Sequence, residues 1–355
     1  MRANGGYVPP SVLVSISGGA GFLGLHLGRR LLADGQAVRT LDLAPLEEAD
    51  LESNVEELRG DVRDEAAAAR LVAGADVLVH AAAALPIQVS QQAIRSVNVD
   101  GTATLFAAAR EAGVRRVILV SSTAVYGVPE HHPLHEDDPL VGVGAYGASK
   151  IAAEQIAFAF TDRGLDAVIV RPKTFLGRER LGVFEILFDW IREGRRIPIL
   201  GNGRNRYQLL AVEDLVEAIV RCFDADGLSG QAINIGALRF GTVRDDLEAL
   251  IEHAASGSQL RPVPARPAEL ALRGLELLRV SPLAEWHYRT AHRDSFVAVD
   301  KARQLLGWEP RLSNAETLAV TYDWYLAHRE SLGRAGTTHR VPWRQGVLGI
   351  LKRLS

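Results

Sequence analysis

Val12-Leu13-Val14-Ser15-Ile16-Ser17-Gly18-Gly19-Ala20-Gly21-Phe22-Leu23-Gly24 decides the fold of this chain. Val12 to Ile16 is short, apolar and rich in β-branched residues, so it reads as a buried strand. Gly18, Gly21 and Gly24 follow it and open a helical stretch, Leu23 to Asp34, which Gly35 closes. Strand, glycine turn and helix in that order are the context a dinucleotide-binding turn requires. One glycine permits the tight turn, one lets the backbone approach a pyrophosphate, and one lets helix pack on strand. The helix start adds free N–H groups and a dipole that favours an anion. Gly18, Gly21, Phe22, Leu23 and Gly24 are therefore expected to line a cofactor. The plainer alternative is an ordinary strand–helix turn.

The pattern continues outward from this turn. Apolar runs at Ala37–Leu43, Asp76–His80, Val117–Ser121 and Ala167–Val170 alternate with helical stretches at Asn98–Ala112 and Tyr146–Arg163. Continuous apolar strands separated by helices indicate a parallel sheet covered on both faces. The expected fold is α/β: a Rossmann doubly wound parallel sheet with a smaller C-terminal substrate-binding lobe. Residues 1–178 are assigned to the cofactor domain, with 204–238 interleaved into it. Residues 179–355 are assigned mainly to the lobe, where Pro262, Pro264 and Pro267 read as a loop.

Asp42 ends the second strand, where an acid meets the adenosine ribose hydroxyls. A carboxylate there repels a 2′-phosphate, and no Arg or Lys follows it directly, so NAD is favoured over NADP. Asp61 and Val62 follow the third strand and are placed against the adenine. Ala81 and Ala83 follow His80 with small side chains that suit close approach of a cofactor. His80 itself reads as a packed strand-end residue.

Tyr146-Gly147-Ala148-Ser149-Lys150 places a phenol and an amine four residues apart, on one face of a helix. A neighbouring ammonium favours the phenolate and brings a phenol toward use as a base near neutral pH. Ser121-Ser122-Thr123 ends the preceding strand and offers a hydroxyl for the reacting oxygen. With the glycine turn, these residues point to redox chemistry at an alcohol carbon.

Composition narrows the classes. The 355 residues include 40 Lys and Arg against 43 Asp and Glu, a balance without the basic excess of a nucleic-acid binder. Cys222 is the single cysteine, so no intrachain disulfide forms; a reducing compartment, the cytoplasm, is expected. No run approaches the roughly 20 apolar residues that span a bilayer, and no metal is expected.

These motifs resemble the extended short-chain dehydrogenase/reductases, in the NAD-dependent nucleotide-sugar epimerase/dehydratase group. The resemblance runs from about Val12 to Arg329. It includes Asn98-Val99-Asp100-Gly101-Thr102, Ser121 to Gly127, Val170-Arg171-Pro172, Val212-Glu213-Asp214-Leu215 and Leu306-Gly307-Trp308. It implies a catalytic triad of Ser122, Tyr146 and Lys150, and further cofactor contacts at Asn98, Ser121 and Pro172. It implies a nucleotide-sugar substrate, touched by Thr123, Thr174, Arg206 and Arg289, and a homodimer. Three departures stand out. Thr123 and Ala124 replace the Asp-Glu pair of the 4,6-dehydratases, which argues against elimination. Thr174 stands where many members have Asn. Tyr207-Gln208 stands where many have Arg-Asp, with Arg204 and Arg206 just before and Arg289 and Arg293 as further arginines for a diphosphate.

The expected activity is epimerisation of a nucleotide sugar at C4. A net keto-sugar reductase or hydroxy-dehydrogenase is the alternative, and a non-catalytic dinucleotide sensor the third reading. Residues 331–355 hold five basic and no acidic residues among apolar ones. This tail reads as docking on the protein body or a second subunit, or as contact with an anionic membrane surface.

Overall fold

The computed structural model describes residues 12–85, 90–179, 181–182, 184–267, 269–270 and 291–330. Its centre is a seven-stranded parallel sheet. The strands are β1 (Leu13–Ser17), β2 (Ala37–Asp42), β3 (Glu56–Arg59), β4 (Val77–His80), β5 (Arg116–Val120), β6 (Ala167–Pro172) and β10 (Ala232–Ile235), in the spatial order β10-β6-β5-β4-β1-β2-β3. Strand order reverses between β1 and β4, and a crevice at the carboxyl ends of the strands opens at such a point.

Side chains alternate across the sheet and divide the core in two. Val77, Val79, Ile118, Val168 and Val170 face one side, where they meet Leu27 and Leu31 of α1 (Phe22–Ala33) and Leu215 and Ile219 of α8 (Val212–Arg221). Leu78, Val117, Leu119 and Ile169 face the other. There they meet Leu71 of α3 (Glu65–Val72), Phe106 of α5 (Gly101–Glu111) and Ala153 and Ala157 of α6 (Gly144–Thr161). A short helix, α2 (Ala49–Glu52), precedes β3.

The helix expected from Asn98 starts earlier. α4 (Gln91–Arg95) runs through a π-helical turn at Ser96–Asp100 into α5. The Ser90 side chain caps its start by accepting from the Ala93 N–H. The extra residue of the π turn turns Asn98 inward, where it is 2 % exposed.

Two small parallel sheets lie apart from the main one: β7 (Thr174–Leu176) with β9 (Leu209–Ala211), and β8 (Arg196–Leu200) with β11 (Gln259–Val263). The loop expected around Pro262 is a strand up to Val263. β11 pairs only with β8 among the described residues, so it is an edge, and an edge tolerates a residue without an N–H donor. A third apolar cluster joins α7 (Phe184–Arg192), α9 (Val243–Ala254) and α11 (Asn314–His328) through Phe188, Trp190, Leu250, Leu318 and Tyr322. Thr242 and Ser313 start α9 and α11 with reciprocal capping boxes.

α10 (Asp300–Leu306) leads into Trp308, which is fully buried and donates its indole N–H to the Asp214 carbonyl at 3.0 Å. The Asp214 carboxylate accepts the Arg311 and Leu312 N–H groups at 3.0 and 3.2 Å. The Leu-Gly-Trp and Val-Glu-Asp-Leu motifs are therefore two halves of one joint. Among the described residues no helix is long and apolar enough to cross a membrane.

Candidate active site

The glycine turn closes on the strand ends around it. A Cβ on Gly18 would stand 2.8 Å from the Ala82 nitrogen, and Gly18 has φ +78°, where a side chain is strained. A Cβ on Gly24 would lie 2.3 Å from the Gly18 carbonyl oxygen, so this helix can approach the turn only with glycine there. α1 has no side-chain cap and no acid in its first turn, which leaves its starting N–H groups to an anion. Phe22 and Leu23, expected at the cofactor, are buried in that first turn within the apolar core.

Asp42 is turned toward the same place. Its carboxylate accepts the Ala20 N–H at 3.1 Å and the Ala44 N–H at 3.0 Å. Burial pushes it above the usual carboxylate range, opposed by these N–H groups and by Arg59. Arg59 stands opposite Asp42 in the β2–β3 register and donates to the Leu43 carbonyl. Nothing in the residues next to Asp42 signals this cation, because it arrives from another strand. Asp61 is paired with Arg63 at 2.5 Å, which lowers its pKa, and Val62 is buried against Gly101. Ala81 and Ala83 continue from β4, with the Ala81 N–H bonded to the Ser17 carbonyl at 3.1 Å.

His80 is packed, as its strand-end position suggests. Its ring nitrogens meet Ser17 Oγ at 2.7 Å and Thr102 Oγ1 at 2.9 Å, and burial lowers its pKa to about 3.

The Ser122, Tyr146 and Lys150 elements are brought together by close backbone packing. Gly147 permits it: a Cβ there would lie 2.8 Å from the Ala124 carbonyl oxygen, in the 3-10 turn Thr123–Tyr126 that Ser122 caps. The start of α6 thus presses on the residues directly after Ser122. Ser122 and Tyr146 are half-buried, and Thr123 lies beside Ser122 at the turn. Lys150 is buried; its Nζ donates to the Val120 carbonyl at 2.8 Å and lies 6.0 Å from the Tyr146 ring centre. Burial lowers Lys150 to about 8, with Glu154 acting in the opposite direction.

Asn98 ties this helix to the cofactor side. Its Oδ1 accepts the Ala84 N–H at 2.7 Å, and its Nδ2 donates to the Ala84 carbonyl at 3.2 Å and to Ser149 Oγ at 3.0 Å. Ser149 in turn donates to the Tyr146 carbonyl at 2.8 Å. Ser121 is buried and donates to Glu154 at 2.5 Å, so a cofactor contact from this residue falls to its main chain. Pro172 is buried at the end of β6.

Sequence reading missed what lies behind these residues. Glu154 and Arg171, 1 % and 2 % exposed at their side chains, form an ion pair at 2.7 Å beneath the strand ends. Arg171 also donates to the Tyr126 hydroxyl at 2.8 Å, and that hydroxyl donates to Asn234 at 2.8 Å.

Two of the departures noted above meet each other. The Thr174 and Tyr207 hydroxyls are 2.9 Å apart. Gln208 faces inward instead, bonded to the Ala237 carbonyl at 2.7 Å and the Val297 N–H at 2.9 Å. The Arg206 side chain stacks on Phe240 and Phe296 at 4.5 and 4.9 Å, and its N–H meets Asp294. Arg289 and the basic tail lie outside the described residues.

The NAD-dependent epimerase/dehydratase family matches residues 14–236, more than half of the chain. The protein belongs to that family. It is 37 % identical over 95 % of its length to an uncharacterised protein, y4nG, of Sinorhizobium fredii, covering 84 % of that protein. It is 29 % identical to a UDP-glucose 4-epimerase of Mycolicibacterium smegmatis, over 87 % of this chain and 97 % of that one. The dTDP-glucose 4,6-dehydratase DesIV of Streptomyces venezuelae, solved with NAD and TYD bound, superposes with a TM-score of 0.72 at 27 % identity, over 90 % of this chain and 98 % of that one.

NAD is the cofactor of this family, and the residues here fit it: a turn whose glycines leave no room for a side chain, an uncapped helix start and a buried carboxylate. Asp42→Ala removes the carboxylate and leaves the Arg59 cation beside the gap. The affinity for NAD, followed by calorimetry, should fall about 10- to 150-fold, the worth of a charged hydrogen bond. Preference for NAD over NADP should fall with it. Unchanged discrimination would remove Asp42 from the ribose site.

Proposed function

We propose that the protein epimerises a nucleotide sugar at C4, by transient oxidation to a keto-sugar and return of the hydride to the opposite face. The observation that carries this reading is the packing of the start of α6, which bears Tyr146 and Lys150, on the turn that Ser122 caps, with Thr123 and Ala124 following the serine. An elimination needs a carboxyl acid and a base beside the sugar. Those two positions supply a threonine hydroxyl and a methyl group, neither of which serves as a carboxyl acid–base pair.

In this reading Tyr146 takes the proton from the sugar hydroxyl, and Ser122 donates a hydrogen bond to the reacting oxygen. Lys150, as an ammonium, favours the phenolate form and holds the helix end to β5 through the Val120 carbonyl. Asn98 and Ser149 fix the Tyr146 backbone. Bound NAD supplies the reversible hydride acceptor. Thr123, Thr174 and Arg206 are assigned to the substrate side.

A second reading, net reduction or oxidation of a different alcohol, is favoured by the Thr174–Tyr207 pair. It replaces an amide and a guanidinium of the family pattern with two hydroxyls bonded to each other. One experiment separates the two readings. The purified protein, without added cofactor, is incubated with UDP-, GDP- and dTDP-sugars and the products are resolved by NMR. A C4 epimer, lost in Tyr146→Phe, is expected. No epimer, with NAD(H) consumed stoichiometrically beside another alcohol or ketone, supports the second reading instead.

A further inference from the structure

Lys173 directly follows Pro172, the last residue of β6, which pairs with the strand that leads into Ser121 and Ser122. Lys173 is 5 % exposed, and its amine makes one hydrogen bond among the described residues, to Ser295 Oγ at 2.7 Å. It lies 4.9 Å from the Tyr207 ring centre, the same tyrosine that bonds Thr174. No carboxylate among the described residues pairs with it. Burial alone lowers its pKa, to about 7.

His132 is the neighbour that gives this amine a direction. The positive charge of Lys173 acts on the His132 ring and lowers its pKa, behind the larger effect of burial and against Asp294. His132 Nε2 is buried without a hydrogen-bond partner among the described residues. Its ring packs on Phe296, one residue from Ser295, and the Arg206 guanidinium also lies over Phe296, 4.9 Å from the ring centre. Asp294 is the acid of this group, and it is engaged by the Arg206 N–H.

An ammonium taken out of water without a counter-ion is unfavourable, and a structural role gives no reason to retain it. Methionine would fill the same volume at less cost. We propose that Lys173, with His132 and Ser295, holds an anionic oxygen of the substrate. The oxygen belongs to the diphosphate or to a carboxylate on the sugar. The assignment rests on the nucleotide-sugar reading above and names a residue that reading does not use.

The test is calorimetric binding to the NAD-loaded enzyme and to Lys173→Met, with four probes: inorganic pyrophosphate, UDP, UDP-glucose and UDP-glucuronate. Lys173→Met should weaken at least one probe tenfold or more while its melting temperature holds or rises, a combination that a purely structural lysine does not produce. Weakening of pyrophosphate, UDP and both sugars points to the diphosphate; weakening of UDP-glucuronate alone points to the carboxylate. Pyrophosphate bound through Lys173, with no nucleotide sugar bound, supports the anion site and counts against the nucleotide-sugar reading. Equal affinities in both proteins, or no binding of any probe by the native enzyme, overturn the proposal. Lys173→Arg guards against a folding artefact: it keeps the charge and should keep most of the affinity.

Discussion

Tyr146→Phe is expected to lower turnover by two to four orders of magnitude while leaving NAD affinity and melting temperature near native. The change deletes one oxygen from a half-buried side chain whose helix is held by other bonds. Asn98 and Ser149 secure the Tyr146 backbone, and Lys150 secures the helix through the Val120 carbonyl. What disappears is the proton acceptor, and a positioned acid–base group contributes about 10²–10⁴ in rate. The pH profile supplies a second readout. Lys150 is charged below about 8 and neutral above it, and the ammonium is the form that favours phenolate. kcat/KM should therefore fall as pH rises through about 8, and Lys150→Met should lose that limb together with most of the activity. A Tyr146→Phe enzyme within threefold of native turnover would place the base elsewhere.

The parts legible in the sequence are those whose signal is local. The strand, glycine turn and helix from Val12 to Asp34 lie within one stretch, and Gly21 and Gly24 are required by contacts inside the turn itself, with the Gly18 carbonyl, although the backbone that crowds Gly18 is that of Ala82, after β4. Asp42 is legible for the same reason, since a strand end before a turn is a position along the chain. The Arg59 cation beside Asp42 is not, because register between strands brings it there. Lys173 reads as an ordinary polar residue after Pro172 until Ser295 and Tyr207, distant in the chain, bury it. The Thr174–Tyr207 contact joins residues 33 apart, so two separate departures turn out to be one local rearrangement. Pro262 misleads because proline signals a break, while an edge strand with one partner accommodates it. Asn98 is placed correctly at a helix but too near its start, since the π turn that turns it inward has no simple sequence signature.

The Glu154–Arg171 pair should dominate stability around the site. Arg171 donates to the Glu154 carboxylate through two bonds at 3.0 and 2.7 Å, and both side chains are buried, Glu154 at 1 % and Arg171 at 2 % exposure. Glu154→Ala leaves the guanidinium buried, its remaining hydrogen-bond partners among the described residues being the neutral Tyr126 hydroxyl and Glu136 carbonyl. It also strips Ser121 of its acceptor. Removing one member of such a pair costs about 3–5 kcal/mol. With an unfolding entropy of about 2.1 cal/mol/K per residue, that is a fall in melting temperature of about 4–7 °C for a chain of this length. The penalty is for the orphaned charge rather than for the lost attraction, and this distinction is measurable. Replacing both partners with apolar residues, Glu154→Leu with Arg171→Met, should recover a large part of the stability that either single change loses. Activity should not recover with it. Glu154 lies one helical turn from Lys150, on the same face of α6, and acts on its charge. Arg171 anchors the strand that carries Pro172 and Lys173. A double variant as unstable as the sum of the singles would mean that the pair acts through two unrelated contacts rather than as one buried charge couple.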